Sequence, residues 1–233
     1  MEFIGKRQVI DIRHLSIGYK KHAVINNINL NANLGSLICI IGRNGTGKTT
    51  FLNTISGIIP ALSGKIFYNN QDFTNISLIE KSKLISYVAS RQEYLSNFTV
   101  FDLVSLGRSP YTNIFDKKSD SDREIIDSVI AEFHLENIKH KVLYKISDGE
   151  RQRSMICRAI VQETPIILLD EPTSFLDYYA KQELLISLSQ LTKQKNKCIV
   201  FSCHDIELAS KFSDTIWLAD KNSITKCWEI KSE

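Results

Sequence analysis

Gly42-Arg-Asn-Gly-Thr-Gly-Lys48-Thr49 is the stretch of sequence that decides the fold. It matches the pattern G-x-x-x-x-G-K-[ST], follows the aliphatic run Leu37–Ile41 and precedes a helical pattern of apolar residues that begins at Phe51. Glycines let a backbone wrap closely around phosphate oxygens, and the N-terminus of the following helix adds amide donors and a partial positive charge. The stretch therefore predicts a phosphate-binding loop between a buried strand and a helix.

Every residue of this loop is a candidate nucleotide contact. Lys48 is expected to reach the β- and γ-phosphates, and Thr49 is expected to offer its hydroxyl to Mg²⁺. The alternative is a glycine-rich turn without a ligand, and the strand before it and the helix after it argue against that reading. The other candidates for binding the nucleotide are Gly42, Arg43, Asn44, Gly45, Thr46, Gly47 and Thr50.

Two carboxylates follow a second aliphatic run, Ile166–Leu169, which is typical of a strand buried on both faces of a parallel sheet. Asp170 suits the shell of a magnesium ion through a water molecule, and Glu171 is placed to orient or deprotonate an attacking water. Alone, an Asp-Glu pair after a strand is more often a solvated turn. Because the phosphate loop is in the same chain, we interpret Asp170 as a metal residue and Glu171 as a catalytic one.

The order of strand-like and helical patterns indicates one α/β domain with an insertion. A third aliphatic run, Cys198–Phe201, suits the same parallel sheet, whereas from about Ser90 to Leu143 such runs thin out and helical periodicity takes over. We predict a single domain over 1–233, with a nucleotide-binding core over 1–89 and 159–233 and a helical sub-domain over 90–158.

The bulk composition narrows the class of protein. A chain of 233 residues with 43% hydrophobic residues can bury a full core, and a net charge of +3 is too small to indicate a nucleic-acid protein. The longest apolar run has five residues, whereas a membrane span needs about 20. Met1–Arg7 lacks the apolar stretch of a secretory signal, and the five cysteines lack zinc or disulfide spacing. We expect reduced thiols in a cytosol and a membrane role only through a partner.

A second anion-binding motif lies between the phosphate loop and the acidic pair. Ile146-Ser-Asp-Gly-Glu-Arg-Gln-Arg153 resembles the signature motif of the ABC ATPase family in a variant form, with Asp148 replacing one glycine and Glu150 replacing a glutamine. Ser147, the amide of Gly149 and the start of the next helix would form a cap for an anion. The candidates for nucleotide binding in this motif are therefore Ser147, Gly149 and Glu150. The alternative is an ordinary helix N-cap, which the same residues would also form.

Three further positions match the same family. Ser174–Asp177 resembles the segment called the D-loop, which makes Asp177 a candidate at the nucleotide site. His204 resembles the switch histidine that contacts the γ-phosphate, so the resemblance implies a catalytic role; otherwise it belongs to a helix cap. Tyr19 resembles the aromatic residue that stacks on adenine, and its alternative is a half-buried strand tyrosine.

The family's glutamine is displaced in this chain. It usually follows a strand end of the type Tyr-Val-Pro, but here Tyr87-Val-Ala-Ser90 intervenes and Gln92 comes two residues late. Either the loop bends to bring Gln92 to Mg²⁺ and water, or Ser90 takes over the role, or the role is lost.

The resemblance, which covers nearly the whole chain, implies both a fold and a mode of action. The fold is an α/β P-loop NTPase of ABC ATPase type, with a mainly parallel core sheet, an N-terminal antiparallel β part and an inserted helical sub-domain. The activity is hydrolysis of ATP with Mg²⁺ by a head-to-tail dimer, in which the phosphate loop of one copy faces Ser147–Gly149 of the other. The dimer would sit on the cytoplasmic face of the inner membrane as a peripheral partner of an integral membrane permease.

Three stretches resemble ATPases of iron-siderophore, haem and cobalamin importers, namely Phe98–Tyr111, Ser147–Glu150 and Glu163–Pro165. Import implies a separate substrate-binding protein, no nucleic acid, and a permease docking around Ser90–Arg108; the alternative for the first stretch is an amphipathic helix within the sub-domain.

The rival functions are an ABC-type ATPase in Fe–S assembly or on nucleic acid, and a kinase or GTPase. The last would leave Ser147–Arg153 and His204 without a role.

Overall fold

The structure is a computed structural model that describes residues 7–90, 97–112 and 118–229, and it contains two β-sheets. The strands are β1 (Gln8–Tyr19), β2 (His22–Asn33), β3 (Ser36–Ile41), β4 (Ser63–Tyr68), β5 (Gln71–Asp72), β6 (Ile85–Val88), β7 (Ile166–Leu169), β8 (Cys198–Cys203), β9 (Thr215–Asp220) and β10 (Ser223–Glu229). The helices are α1 (Lys48–Ser56), α2 (Leu78–Leu84), α3 (Val100–Ser105), α4 (Asp120–Glu132), α5 (Asp148–Val161), α6 (Tyr178–Gln194) and α7 (Ile206–Phe212).

The larger sheet has six strands in the order β10-β9-β3-β8-β7-β6, and all of its pairs are parallel except β9 with β10. The central strands β3, β7 and β8 are fully buried, as their aliphatic sequences require of strands covered on both faces. The carboxyl ends of these three strands carry Gly42, Asp170 and His204, respectively. The mainly parallel core sheet predicted from the sequence is confirmed, and its topology brings three separate motifs to one edge.

The smaller sheet has the order β2-β1-β4-β5 and is antiparallel throughout, which confirms the N-terminal antiparallel β part. Helix α1 packs between the two sheets in a continuous apolar cluster. Phe51 of α1 meets Trp217 of β9 edge to face, with ring centroids 5.9 Å apart, and Ile17 of β1 is buried in the same cluster. The helix that follows the phosphate loop is thereby held from both sides.

A second apolar cluster covers the other face of the large sheet with helices α3 to α7. The periodic residues of α4 and α6 face this cluster, in agreement with the sequence pattern. They are Ile126, Val129, Ile130, Leu184, Leu188 and Leu191. Helix α5 crosses from the predicted sub-domain into the predicted core, because it continues to Val161, past the predicted boundary at 158.

An ion-pair network around the buried side chain of Arg108 joins the segment after α3 to the entrance of β7. The guanidinium of Arg108, which is only 7% exposed, donates to Asp122 at 2.7 Å, to Glu163 at 2.7 Å and to the carbonyl of Val161 at 2.8 Å. Asp122 belongs to α4, while Val161 and Glu163 flank the turn that leads into β7. A single guanidinium therefore connects α4, α5 and the strand that carries the acidic pair.

Replacing Arg108 with lysine is expected to lower the free energy of unfolding by about 2 kcal/mol, because an ammonium cannot serve three acceptors in a planar fork and leaves buried groups unpaired. Urea unfolding followed by circular dichroism measures this. Arg13→Lys is the matched control, since Arg13 forms an ion pair with Asp11 on an exposed part of β1, and it should change stability by less than about 0.5 kcal/mol. Equal losses in the two variants would contradict the assignment of a special role to Arg108.

Candidate nucleotide site

The phosphate loop is shaped by two glycines that no other residue could replace without strain. Gly47 is the N-cap of α1 and has a φ of 94°, a left-handed conformation that side chains with a Cβ rarely adopt. Gly42 lies so close to β9 that a Cβ atom there would be 2.3 Å from the carbonyl oxygen of Ala219. The backbone between them can therefore curve around a ligand at the N-terminus of α1.

Lys48 lies inside this curve and is nearly buried. Its ammonium donates to the carbonyls of Gly42 at 2.8 Å and Arg43 at 3.0 Å. Burial lowers the pKa of Lys48 from its ordinary value, and the carboxylates of Glu171 and Asp170 oppose that shift. The loop thus keeps a cation directed toward its own concave side, close to two acidic groups.

Asp170 is almost fully buried and accepts hydrogen bonds at both carboxylate oxygens. Thr49 donates its hydroxyl to Oδ2 at 2.8 Å, and Ser202 donates its hydroxyl to Oδ1 at 2.8 Å. The hydroxyl of Ser202 also accepts the backbone N–H of Glu171 at 2.7 Å. Ser202 therefore fixes both members of the acidic pair, and the sequence interpretation missed it. Its signal was a hydroxyl at the carboxyl end of β8, beside the strand that carries Asp170.

Glu171 has an unusual backbone conformation, with a φ of 51°. A residue other than glycine in this region costs about 1–3 kcal/mol, and such residues cluster at functional sites. Its carboxylate oxygen Oε1 lies 2.6 Å from Nε2 of His204, and Nδ1 of His204 lies 3.3 Å from the carbonyl oxygen of Gly42. The two predicted catalytic residues, which are 33 positions apart in the chain, are therefore in direct contact beside the phosphate loop.

Two cavities adjoin the loop. One, of about 450 Å³, is lined by Val24, Ser90, Glu171 and six residues from the phosphate loop and the start of α1. These six are Asn44, Gly45, Gly47, Lys48, Thr49 and Thr50. The other, of about 560 Å³, is lined by Arg43, Thr46, His204, Ile206 and Leu218, among others. Ser90 thus lies at the cavity, as one alternative for the displaced glutamine requires, whereas Gln92 lies outside the residues that the structure describes.

Tyr19, the candidate for stacking on adenine, lies at the end of β1 and is half exposed. Its hydroxyl is 3.4 Å from the hydroxyl of Thr50, in the first turn of α1. The structure therefore brings this tyrosine next to the phosphate loop, with a ring that a base can still reach. Its role in stacking stays a prediction.

The signature residues form a separate group. Ser147 is the N-cap of α5, and the carboxylate of Glu150 accepts the backbone N–H of Ser147 at 2.8 Å and its hydroxyl at 2.9 Å. Gly149 packs against Leu176 of the D-loop segment, and Asp177 caps α6 by accepting the N–H of Ala180 at 2.9 Å. Among the described residues lining the two loop cavities, none comes from this group. The candidates thus fall into two clusters on one molecule.

Two of the metal candidates, Thr49 and Asp170, are in contact and have the chemistry that Mg²⁺ prefers. The Thr49 hydroxyl and the Asp170 carboxylate supply only oxygen atoms, which Mg²⁺ prefers, and Mg²⁺ usually keeps several waters and needs few protein ligands. Across residues 7–90, 97–112 and 118–229 there is no group of three or more His, Cys, Asp or Glu side chains that could hold a metal ion. In the same ranges, every helix is too short or too polar to cross a lipid bilayer.

Comparison with known proteins places this geometry in a family. The family described as ABC transporter matches residues 25–174. The chain is 31% identical over 217 residues to the iron(3+)-hydroxamate import ATP-binding protein FhuC of Bacillus subtilis, covering 93% of the chain and 81% of that protein. It is 31% identical over 205 residues to the achromobactin transport ATP-binding protein CbrD of Dickeya dadantii, covering 88% and 76%.

Solved structures agree with this placement. A structure described as a metal-chelate type ABC transporter in an inward-facing conformation has a TM-score of 0.82 and 26% identity, covering 95% of this chain and 83% of that one. The dimeric ATP-binding cassette MJ0796 bound to ADP and Pi has a TM-score of 0.85 at 23% identity, covering 96% and 100%, and shares the fold. The chain therefore belongs to the ABC transporter family, and it is an ATP-binding, ATP-hydrolysing subunit of such a transporter.

Proposed function

We propose that this subunit acts as a head-to-tail dimer that drives the import of a metal chelate through a separate permease. The observation that carries the dimer is the division of the nucleotide residues into two clusters, one around the phosphate loop and one at the start of α5. A cap for an anion has little use in the second cluster unless a nucleotide reaches it from another copy. Each ATP would then lie between the loop of one subunit and Ser147–Gly149 of its partner.

The surface around the second cluster supports this arrangement. Phe175 belongs to the D-loop segment, lies beside Gly149 and is 60% exposed. The neighbouring Tyr178 and Tyr179 are also exposed. Exposed aromatic groups of this kind mark interaction surfaces. Beside the phosphate loop, the larger cavity is bordered by the exposed apolar residues Ile206 and Leu218. A head-to-tail dimer would bring these two apolar surfaces together.

The contacts around the loop support a mechanism of hydrolysis in which each predicted site residue has a role. Glu171 orients the attacking water and accepts its proton, and the strained backbone and the hydrogen bond from its N–H to Ser202 hold the carboxylate in place. His204, which contacts Glu171, would also face the γ-phosphate, and Lys48 would turn from its present carbonyl partners to the phosphates. Mg²⁺, held through Thr49 and Asp170, would supply charge stabilisation for the transferring phosphoryl group.

The proposed substrate class comes from the relatives. The names of FhuC and CbrD refer to iron(3+)-hydroxamate and achromobactin. These names favour a metal chelate over haem or cobalamin, and the transporter reading over the non-transport alternatives. A substrate-binding protein and a position on the cytoplasmic face of the inner membrane belong to the same proposal.

The test is transport by the whole complex. The subunit is co-purified with its permease, reconstituted in liposomes with Mg²⁺-ATP, and supplied with ferric hydroxamate, haem or cobalamin and the corresponding binding protein. We expect ATP-dependent uptake of the ferric chelate, and no uptake with the Glu171→Gln subunit. Uptake of haem or cobalamin alone would overturn the substrate class, and a subunit that binds no permease would overturn the transport role.

A further inference from the structure

The signature cluster carries two acidic residues where a triphosphate is proposed to bind. Asp148 and Glu150 both lie in the first turn of α5, directly beside Ser147 and Gly149. Carboxylates are favourable at a helix N-terminus in isolation, because the helix dipole attracts them. In this place they would instead compete with the phosphates for the same positive potential, and like charges that meet across an interface oppose the association of the two subunits.

The carboxylate of Glu150 is occupied within the cap itself. It accepts both the N–H and the hydroxyl of Ser147, and these hydrogen bonds lower the pKa of Glu150 below its ordinary value. The positive charges of Arg153 and Lys141 act in the same direction. Glu150 is thus an anion that the local structure already compensates.

Asp148 is compensated by a different residue. Its side chain is 66% exposed, and its Oδ1 accepts a hydrogen bond from Nη1 of Arg151 at 2.5 Å. Arg151 is only 15% exposed, because its Nε and Nη2 donate to the carbonyl of Leu143, at 3.2 and 3.0 Å, and Nη2 also donates to the carbonyl of Ile146 at 3.2 Å. The cation is therefore fixed by the backbone, and the anion is held to it on the surface that the partner subunit would cover.

We infer that Arg151 is a positioning residue for the second half of the ATP site, which holds the Asp148 carboxylate away from the partner's triphosphate and cancels its charge. The inference rests on the proposed head-to-tail dimer. In a free subunit an ion pair whose carboxylate is this exposed contributes little, because water and salt screen it. Once the partner and its nucleotide cover the pair, screening falls, and the charge on Asp148 matters to the association of the two subunits.

The experiment uses Glu171→Gln as a common background, because that variant is expected to hold the ATP-bound dimer. Arg151→Gln, the double variant Asp148→Asn with Arg151→Gln, and the control Arg13→Gln are compared in this background. Arg13 forms an exposed ion pair with Asp11 on β1, so its removal changes the charge equally in another part of the molecule. The dissociation constant of the dimer in Mg²⁺-ATP is measured by analytical ultracentrifugation at two salt concentrations, together with unfolding in urea.

We expect Arg151→Gln to weaken the dimer about tenfold or more at low salt, with a smaller effect at high salt. Adding Asp148→Asn should restore the dimer to within about threefold of the background, and Arg13→Gln should leave it unchanged. The rescue separates a charge effect from damage to the carbonyl contacts of Arg151, which Asp148→Asn cannot repair. The assignment is overturned if Arg151→Gln has no effect or is not rescued. A Glu171→Gln protein that stays monomeric in Mg²⁺-ATP would overturn the shared site and this assignment together.

Discussion

Replacing Glu171 with glutamine is expected to lower the rate of ATP hydrolysis about a thousandfold, since a positioned general base contributes roughly 10²–10⁴ to a rate. Glutamine has the same shape, so the positive φ and the hydrogen bond from the backbone N–H to Ser202 should persist. An amide cannot accept the proton of the attacking water. ATP should therefore bind, remain intact and keep the two subunits together.

Phosphate release measures the turnover, and size-exclusion chromatography with Mg²⁺-ATP measures the trapped dimer. Glu183→Gln is the matched control, because Glu183 lies on α6 beside a different cavity and makes no contact with the loop cavities described above. It should keep the normal rate. Turnover at the normal rate in Glu171→Gln would show that another group activates the water.

Replacing Ser147 with arginine is expected to abolish the dimer and to lower turnover at least about a hundredfold, while ATP still binds the monomer normally. The long side chain would occupy the space in front of α5, where the partner's phosphates are proposed to lie. It would also remove the hydroxyl that caps α5 and contacts Glu150, at a cost of about 1 kcal/mol. Because Ser147 is not among the residues lining the loop cavities, the first half of the site should be unaffected.

Ser77→Arg controls for the loss of the cap. Ser77 and Glu80 form the same reciprocal cap at the start of α2 that Ser147 and Glu150 form at the start of α5. The two arginine variants should lose similar stability in urea unfolding, but only Ser147→Arg should lose the ATP-dependent dimer in the Glu171→Gln background. Weakened binding of a fluorescent ATP analogue to the Ser147→Arg monomer would contradict the assignment of Ser147 to a partner's nucleotide.

The parts of the site that are continuous in sequence could be predicted without a structure. The phosphate loop, Asp170 and Glu171 each follow a run of aliphatic residues, and strands of this kind end at one edge of a parallel sheet. The antiparallel N-terminal sheet and the mainly parallel core were predicted correctly as well. For Tyr19, the structure adds proximity to Thr50, and the stacking role rests on the family resemblance.

The contacts that could not be predicted from the sequence depend on the register of paired strands and on residues that are far apart in the chain. The contact between Glu171 and His204 exists because β7 and β8 pair in parallel, with Leu169 opposite Phe201, and this register also places Ser202 between the two acidic residues. Arg108 is 14 positions from Asp122 and 55 from Glu163 in the chain, and no local sequence pattern predicts a network between residues so far apart. Pairings of this kind follow from packing, which short-range periodicity does not encode.

The left-handed backbone at Glu171 also restricts how this position can change over evolutionary time. A residue there must first tolerate a φ of 51°, which favours glycine, asparagine and aspartate and penalises branched side chains such as valine or isoleucine. The substitutions of Glu171 that the backbone tolerates best are therefore those that shorten the side chain or remove its carboxylate. A substitution could relieve the local strain only by shortening or removing the carboxylate that is proposed as the base, so selection for activity would have to preserve this residue.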